Sequence, residues 1–179
     1  DVVVCKDPGT TELGETLRQV LLGKHQIDIH VRSELLMFMA ARAQLVEEVI
    51  RPALAAGKIV VSDRYVFSTV VYQGYAGNIE PDTVWDLNHF ATDGLMADMT
   101  FLFDLDTQTA LSRLGPMRDR MESRGQDYFD KLRNGFVAEA KRWPEGVELV
   151  DASGSLNEVQ QKLRELASGV IQRKRQSLS

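Results

Sequence analysis

The segment "KIVVSDRYVFSTVVYQG", residues 58–74, joins a short apolar run to a crowded set of polar side chains. The run at 58–62 has no strict alternation, which is typical of a strand covered on both faces by helices. Ligands of open α/β sheets bind beyond the carboxyl ends of such strands, so residues 63–73 form a candidate binding site. The polar side chains in this stretch include those of Asp63, Arg64, Ser68, Thr69, Tyr72 and Gln73.

Three other strand candidates divide the chain into βα units. Short apolar runs lie at 2–5, 100–106 and 147–151, with helical patterns between them. Strands that alternate with helices predict a parallel sheet with helices on both faces, hence a three-layer α/β/α domain. The predicted helices cover residues 13–22, 33–56, 81–96, 107–114, 127–143 and 155–174.

Local signals predict several helix ends. Ser33 occupies an N-cap position of the longest helix, and Gly57 occupies a C-cap position. Pro52 predicts a kink in that helix or the start of a second one. Ser155 and Glu158 have the spacing of a capping box.

Composition bounds the class of protein. A length of 179 residues predicts one domain, here residues 1–179, and 44% apolar residues is ordinary for a globular protein. The net charge of −5 argues against non-specific binding to nucleic acid or membranes. Cys5 is the only cysteine, which excludes an intrachain disulfide and fits a reducing compartment, so we expect a cytoplasmic protein. No apolar run reaches the roughly 20 residues that span a bilayer.

Asp63 and Arg64 suit phosphoryl-transfer chemistry. A carboxylate at a strand end is typical of enzymes that hold Mg²⁺ near phosphates, and a guanidinium binds phosphate through two parallel hydrogen bonds. Thr69 and Gln73 are four residues apart, so a helix places them on one face. A hydroxyl and an amide there suit the edge of a base. The alternative is an Asp–Arg pair that caps the next helix.

The first post-strand segment, "KDPGTT" at 6–11, has two interpretations. Asp-Pro-Gly is ordinary turn chemistry. In the other interpretation, Asp7 holds a metal-bound water or orients an arginine that binds phosphate.

The longest predicted helix carries Phe38 and Arg42 on one face of an otherwise apolar stretch. A buried unpaired charge is expensive, so Arg42 needs a partner. Phe38 is then either a core residue beside an ion pair of Arg42 with Glu34 or Glu47, or a ring that stacks on a base with an arginine beside it.

Residues 113–125, "RLGPMRDRMESRG", concentrate positive charge between two predicted helices. The segment is either a solvated loop or a flap that closes on phosphates and excludes water. Its basic residues are Arg113, Arg118, Arg120 and Arg124.

These elements, in this order, resemble thymidylate kinase, the enzyme that phosphorylates dTMP with ATP. The resemblance covers nearly the whole chain. It implies a P-loop nucleoside monophosphate kinase fold with a lid at about 113–125, ATP and Mg²⁺ as phosphoryl donor and cofactor, and a homodimer. The matching segments are "KDPGTTELGETLR" (6–18), "LLMFMAAR" (35–42), "SDRYVFSTVVYQG" (62–74) and "DRMESRGQDYFDKLR" (119–133).

The resemblance also implies roles on the phosphate side of the site. Arg64 would grip the acceptor phosphate, with Asp63 orienting it and the metal. Arg18 would lie near the same phosphate, and Asp7 near the reacting phosphates. Arg118 and Arg120 would belong to the lid and contact the phosphates of ATP, whereas the resemblance assigns no role to Arg113 and Arg124.

On the nucleoside side, the resemblance implies that Phe38 stacks on thymine and that Arg42 reaches a base carbonyl. Thr69 and Gln73 would face the imide side of the base, with Ser68 close by. Tyr72 would lie under the sugar, where it would disfavour a 2′-hydroxyl.

The chain departs from the family pattern in three places. Asp7 stands where the family usually has Glu, and Thr10 where it has Gly. The sequence contains no G-x-x-x-x-G-K-[ST] motif to cradle ATP phosphates. We therefore expect a strand, a phosphate loop and a first helix to precede Asp1, with that strand between the strands at 2–5 and 58–62 or beside them. The alternatives are another nucleotide or deoxynucleoside kinase, or a non-catalytic nucleotide-binding protein that lacks the ATP half.

Overall fold

A computed structural model describes residues 1–23, 27–113, 115, 120–121 and 124–177. The strands in this part of the chain coincide with the predicted ones to within two residues. They are β1 (Val2–Cys5), β2 (Ile59–Ser62), β3 (Thr100–Asp104) and β4 (Val147–Asp151).

The strands pair in parallel, as the βα pattern predicted. β1 lies beside β2 from Val2↔Ile59 to Cys5↔Ser62, and β3 lies beside β4 in the same manner. The described residues thus form two parallel ladders rather than one continuous sheet. Because β1 and β2 exchange hydrogen bonds directly, no strand lies between them, and that part of our expectation is wrong.

Helices connect the strands as predicted. Two segments have the wider π-helical turn, Val46–Ile50 and Val70–Tyr75. The α-helices are α1 (Glu12–Leu22), α2 (Val31–Leu45), α3 (Arg51–Ala55), α4 (Val66–Thr69), α5 (Pro81–Thr92), α6 (Thr107–Arg113), α7 (Gln126–Arg142) and α8 (Leu156–Ser177). No helix in the described ranges is long and apolar enough to cross a membrane.

The start of α2 differs from the prediction. His30 rather than Ser33 is the N-cap, because its extended backbone lets Nδ1 accept a hydrogen bond from the backbone N–H of Arg32 at 3.2 Å. Ser33 therefore lies inside the first turn. The helix also places Glu34 at a buried position one turn from this end.

The other local signals for helix ends are confirmed, although α5 ends at Thr92 rather than at residue 96. Pro52 lies in the first turn of α3, a separate α-helix after the π-helical segment at 46–50. Gly57 follows α3 with a φ of 70°, a left-handed conformation that favours glycine. Ser155 and Glu158 form the capping box, with the Ser155 N–H donating to the Glu158 carboxylate at 2.8 Å.

The apolar core lies between the helices and determines how they face the site. Side chains of α1, α2, α5 and the π-helical segment at 70–75 pack together, among them Leu21, Leu35, Phe38, Val70 and Val84. A second cluster joins α4 and α7 to β3 and β4. Because α2 and the 70–75 segment both turn one face into this core, the polar side chains on those faces are buried with it.

Candidate active site

The site lies where β1 and β2 end. Cys5 and Ser62 are partners in the ladder, so the segments after them begin side by side. The backbone N–H of Asp7 donates to Oδ1 of Asp63 at 3.1 Å. Two post-strand segments that are 56 residues apart in sequence are thereby joined.

A buried arginine connects this point to the helices. Asp7 and Arg42 are each 1% exposed, and Arg42 Nε donates to Oδ2 of Asp7 at 2.5 Å. Its other nitrogens donate to Thr69 Oγ1 at 2.8 Å, to Asn88 Oδ1, and to the Tyr65 carbonyl at 3.3 Å. Arg42 therefore has an ion-pair partner, and that partner is Asp7.

Burial governs ionisation in this cluster. It raises the pKa of Asp7, and the guanidinium of Arg42 opposes that rise. Burial also raises the pKa of Tyr65 to about 12. The Tyr65 hydroxyl donates to the Leu95 carbonyl at 2.9 Å, and its ring lies 5.6 Å from the Arg42 guanidinium carbon.

A second polar cluster surrounds Glu34, which is fully buried. Gln73 Nε2 donates to Glu34 Oε1 at 2.7 Å. Arg120 and Arg124 both donate to Glu34 Oε2, the latter at 3.1 Å. Oε1 of Gln73 and Oδ1 of Asp7 are buried and have no hydrogen-bond partner among the described residues. Each cluster thus contains a buried oxygen that still has acceptor capacity.

The segment that carries Tyr72 and Gln73 is the π-helical one at 70–75. π-Helical turns are frequent at functional sites. The Gln73 carbonyl accepts a hydrogen bond from the Ile79 N–H at 3.2 Å, which folds the following turn back on the helix. Gly77 makes this return possible, since a Cβ there would lie 2.4 Å from the Gln73 carbonyl oxygen.

The predicted phosphate-side residues lie nearer the surface. Arg64 is exposed at the end of β2, and its guanidinium carbon lies 5.2 Å from the centroid of the Tyr72 ring. Tyr72 is half-buried, with Tyr128 and Phe136 at its edges. Arg18 donates to the carbonyl of Pro8 at 2.8 Å, which places it against the segment at 6–11.

The structure joins two of the predicted base-side residues directly. Arg42 contacts Thr69, and Phe38 is 9% exposed in the core cluster that Tyr72 packs against. Gln73 lies one turn beyond Thr69 and is fully buried. Ser68 is half-buried on the same helical segment.

The structure describes only some of the predicted lid residues. Arg118 lies outside the described residues. Arg120 donates to the Leu21 carbonyl at 2.9 Å as well as to Glu34, so it lies beside α1 and α2. Arg124 also lies on Glu34, and its guanidinium carbon is 4.9 Å from the centroid of Tyr128.

Sequence reasoning missed Asn88. It is fully buried on α5 and hydrogen-bonds both Arg42 and Thr69. The sequence carried no signal for it, because a lone Asn in an amphipathic pattern is usually exposed. Glu34 was considered only as a partner of Arg42, although an acidic residue inside an apolar run was itself a signal.

Possible metal ligands are few in the described ranges, which hold no group of three or more His, Cys, Asp and Glu side chains arranged for a metal ion. Asp63 is exposed at the strand end, beside the buried Asp7. Mg²⁺ commonly takes one or two carboxylates and completes its shell with water and phosphate oxygens, so this donor set fits such an ion.

A family model described as thymidylate kinase matches residues 1–163 of the chain. The chain belongs to the thymidylate kinase family. A thymidylate kinase of Rhodopirellula baltica is 40% identical over 159 residues, which are 89% of this chain and 64% of that protein. A thymidylate kinase of an Exiguobacterium species is 39% identical over 165 residues, 91% of this chain and 78% of that protein.

A solved structure agrees with this assignment. The crystal structure of thymidylate kinase from Ehrlichia chaffeensis superposes with a TM-score of 0.72 at 28% identity, covering 93% of this chain and 79% of that one. It confirms the predicted α/β kinase fold. The thymidylate kinase assignment supports an enzyme that phosphorylates dTMP to dTDP with ATP as phosphoryl donor, and it does not favour the alternatives.

Proposed function

We propose that the protein, as its gene encodes it, transfers the γ-phosphoryl group of ATP to the phosphate of dTMP, and that the site described above holds the acceptor. The observation that carries this proposal is the position of Arg64. Its exposed guanidinium lies at the carboxyl end of β2, against Tyr72 and within three helical turns of the buried Gln73. These three groups can be matched in order to the parts of dTMP: Arg64 to the phosphate, Tyr72 to the sugar and Gln73 to the base.

The phosphate end is assigned to arginines. Arg64 offers two parallel donors to the dTMP phosphate, and Arg18 lies near the turn at 6–11 to provide a further charge. Tyr72 offers the face of a half-buried ring to the deoxyribose. Ser68, one turn before Tyr72, supplies a hydroxyl between the phosphate and base ends.

The base end is assigned to Phe38, Arg42, Thr69 and Gln73. The hydrogen bonds of Arg42 to described residues account for four of the five N–H groups of a guanidinium, and we assign the fifth to a thymine carbonyl. Thr69 acts by positioning Arg42, since its hydroxyl accepts from that side chain and donates to the Val66 carbonyl. Phe38 provides the stacking surface.

Asp63 and Asp7 are assigned different roles. Asp63 would hold Mg²⁺ with its exposed carboxylate, and the ion would neutralise charge on the reacting phosphates. Asp7 acts through its neighbours: its N–H fixes the Asp63 carboxylate, and its own carboxylate fixes Arg42. Phosphoryl transfer then depends on positioning and charge stabilisation rather than on a covalent intermediate.

The donor end is assigned to the lid at about 113–125, within one domain that spans the chain. Arg118 and Arg120 would contact ATP phosphates. In the present arrangement Arg120 pairs with Glu34, so contact with ATP requires it to exchange that carboxylate for phosphate oxygens.

We also infer a homodimer and a cytoplasmic location. Helices α2 and α5 pack together, and each exposes a large apolar side chain, Leu36 at 58% and Phe90 at 86%. Exposed apolar side chains of this kind mark interaction surfaces when they lie together. The free Cys5 thiol fits a reducing compartment.

Arg64→Ala tests the assignment of the phosphate end. We expect dTMP binding to weaken by about 2–4 kcal/mol, because the phosphate loses a charge-assisted donor pair, while ATP binding changes much less. Calorimetry of both nucleotides measures this, with Arg164→Ala on the exposed face of α8 as the control. A variant that binds dTMP normally but loses ATP would show that Arg64 serves the other nucleotide. Equal affinity of the unmodified protein for dTMP and dGMP would refute the base pocket.

A further inference from the structure

Glu34 and Gln73 form a buried pair in which only one orientation of the amide is chemically possible. Both side chains are fully buried, and Gln73 Nε2 donates to Glu34 Oε1 at 2.7 Å. The other amide atom, Oε1 of Gln73, is buried, and no described part of the chain offers it a hydrogen bond.

The orientation follows from the partners of Glu34. Arg120 and Arg124 donate to its Oε2, and arginine has no acceptor, so the Glu34 carboxylate meets both guanidinium groups as an acceptor. An ionised carboxylate accepts hydrogen bonds and donates none. The amide of Gln73 must therefore turn its NH₂ group to Glu34, and its oxygen is left for whatever binds beside it.

We propose that Glu34 is a positioning residue that sets the base preference of the acceptor site by fixing the amide of Gln73 with its oxygen toward the base. This inference rests on the proposed function, in which Gln73 faces the imide side of thymine. Thymine and uracil carry a hydrogen on N3 and can donate it to this oxygen. Cytosine has a lone pair on N3, so two acceptors would face each other.

A second polar group in the site discriminates in the same direction. Under the proposed function, the remaining N–H of Arg42 would face the O4 carbonyl of thymine, where cytosine carries an amino group. Cytosine would thus meet an acceptor at N3 and a donor at N4, each the wrong partner. Sites that hydrogen-bond a substrate reject analogues that leave their buried polar groups unpaired.

Glu34→Gln reverses the polarity of the pair. The new amide must turn its oxygen to Arg120 and Arg124, which only donate, and its NH₂ group to Gln73. Gln73 then accepts through its oxygen and turns its own NH₂ group toward the base. We expect the site to lose its acceptor for N3–H and to gain a donor that suits the N3 lone pair of cytosine.

The measurement is the ratio of dCMP to dTMP dissociation constants, obtained by calorimetry on the protein as its gene encodes it. We expect Glu34→Gln to lower this ratio about tenfold or more, a shift in preference that loosened packing alone would not produce. Glu34→Gln combined with Gln73→Glu should restore it, because position 73 then carries a carboxylate that accepts only. Glu48→Gln is the matched control, since Glu48 accepts from Gln44 Nε2 at 2.8 Å in an exposed pair four residues apart.

The outcomes separate this inference from the proposed function. If dTMP does not bind, or if Gln73→Leu leaves both affinities unchanged, the proposed base contact fails and the inference fails with it. If Gln73→Leu weakens dTMP binding but Glu34→Gln leaves the ratio unchanged, only the inference is overturned. Should Glu34→Gln not fold, the double variant decides, because it keeps every hydrogen bond of the pair: retained preference for dTMP supports the inference, and lost preference overturns it.

Discussion

Removal of the Asp7 carboxylate should strongly destabilise the fold. Asp7→Ala leaves the Arg42 guanidinium buried at 1% exposure without its counter-charge. Breaking a buried ion pair by removing one partner costs about 3–5 kcal/mol. Domains of this size have about 5–15 kcal/mol of stability in total, so about a fifth of it or more is at stake.

A double-mutant cycle assigns this cost to the pair. Arg42→Met removes the charge but also strips hydrogen bonds from Asn88 and the Tyr65 carbonyl, each about 1–3 kcal/mol if left unpaired. The double variant therefore stays less stable than the unmodified protein. It should nevertheless cost less than the sum of the two single changes, by about 2–3 kcal/mol, because neither charge remains alone.

Urea unfolding of the four proteins measures the cycle. Lys6→Ala is the control, because Lys6 pairs with Glu15 at 3.6 Å with more than 40% of each side chain exposed. Exposed pairs contribute about 0–1 kcal/mol. If Asp7→Ala costs no more than Lys6→Ala, or if the cycle is additive, the buried pair does not stabilise the fold in this way.

Three further predictions concern other parts of the molecule. Burial raises the pKa of Tyr65 to about 12, so the contribution of this side chain to the free energy of unfolding is complete below about pH 10 and is lost as the pH rises toward 12. Tyr65→Phe should reduce this loss of stability at alkaline pH, measured as the urea midpoint at each pH. An unchanged dependence of the midpoint on pH would contradict the prediction. Phe90→Glu should convert the proposed homodimer to monomers in sedimentation analysis, and a variant that remains dimeric would exclude this face. Gly135→Ala should lower the free energy of unfolding by about 1–3 kcal/mol, because its Cβ would lie 2.9 Å from Tyr75 Cγ; thermal melts should show no such loss for Gly146→Ala, where no atom lies within 4 Å.

The fold was predictable because each element has a local signature. The apolar runs at 2–5 and 58–62 predicted two strands to within one residue, and periodicity predicted the helices other than the helical segment at 66–75. The capping box at Ser155 and the proline at the start of α3 each lie within a few residues of the helix end that they predict. The N-cap of α2 was harder, because His30 caps rarely and Ser33 is the better residue by type.

The polar contacts of the site were less predictable, because they join distant parts of the chain. Arg42 has carboxylates eight residues before it and five after it, at Glu34 and Glu47, yet it pairs with Asp7, which is 35 residues away. That choice depends on where β1 ends relative to α2, and no local pattern encodes it. Asn88 enters the same cluster from a third element, α5, for the same reason.

Asp7 and Glu34, the buried carboxylates of this site, each accept a hydrogen bond from a neighbouring side chain, but they leave a donor in one case and an acceptor in the other. Asp7 accepts from Arg42 and so fixes a group that can only donate, leaving one N–H for a base. Glu34 accepts from the amide of Gln73 and so leaves that group's buried oxygen as an acceptor. Thymine presents a carbonyl next to an N–H, which needs a donor next to an acceptor in the site. Under the proposed function, recognition of the base therefore resides as much in the buried acids, which a ligand never touches, as in Arg42 and Gln73. The carboxylate at position 34 should accordingly be as sensitive to neutral substitution as the side chains that contact the base.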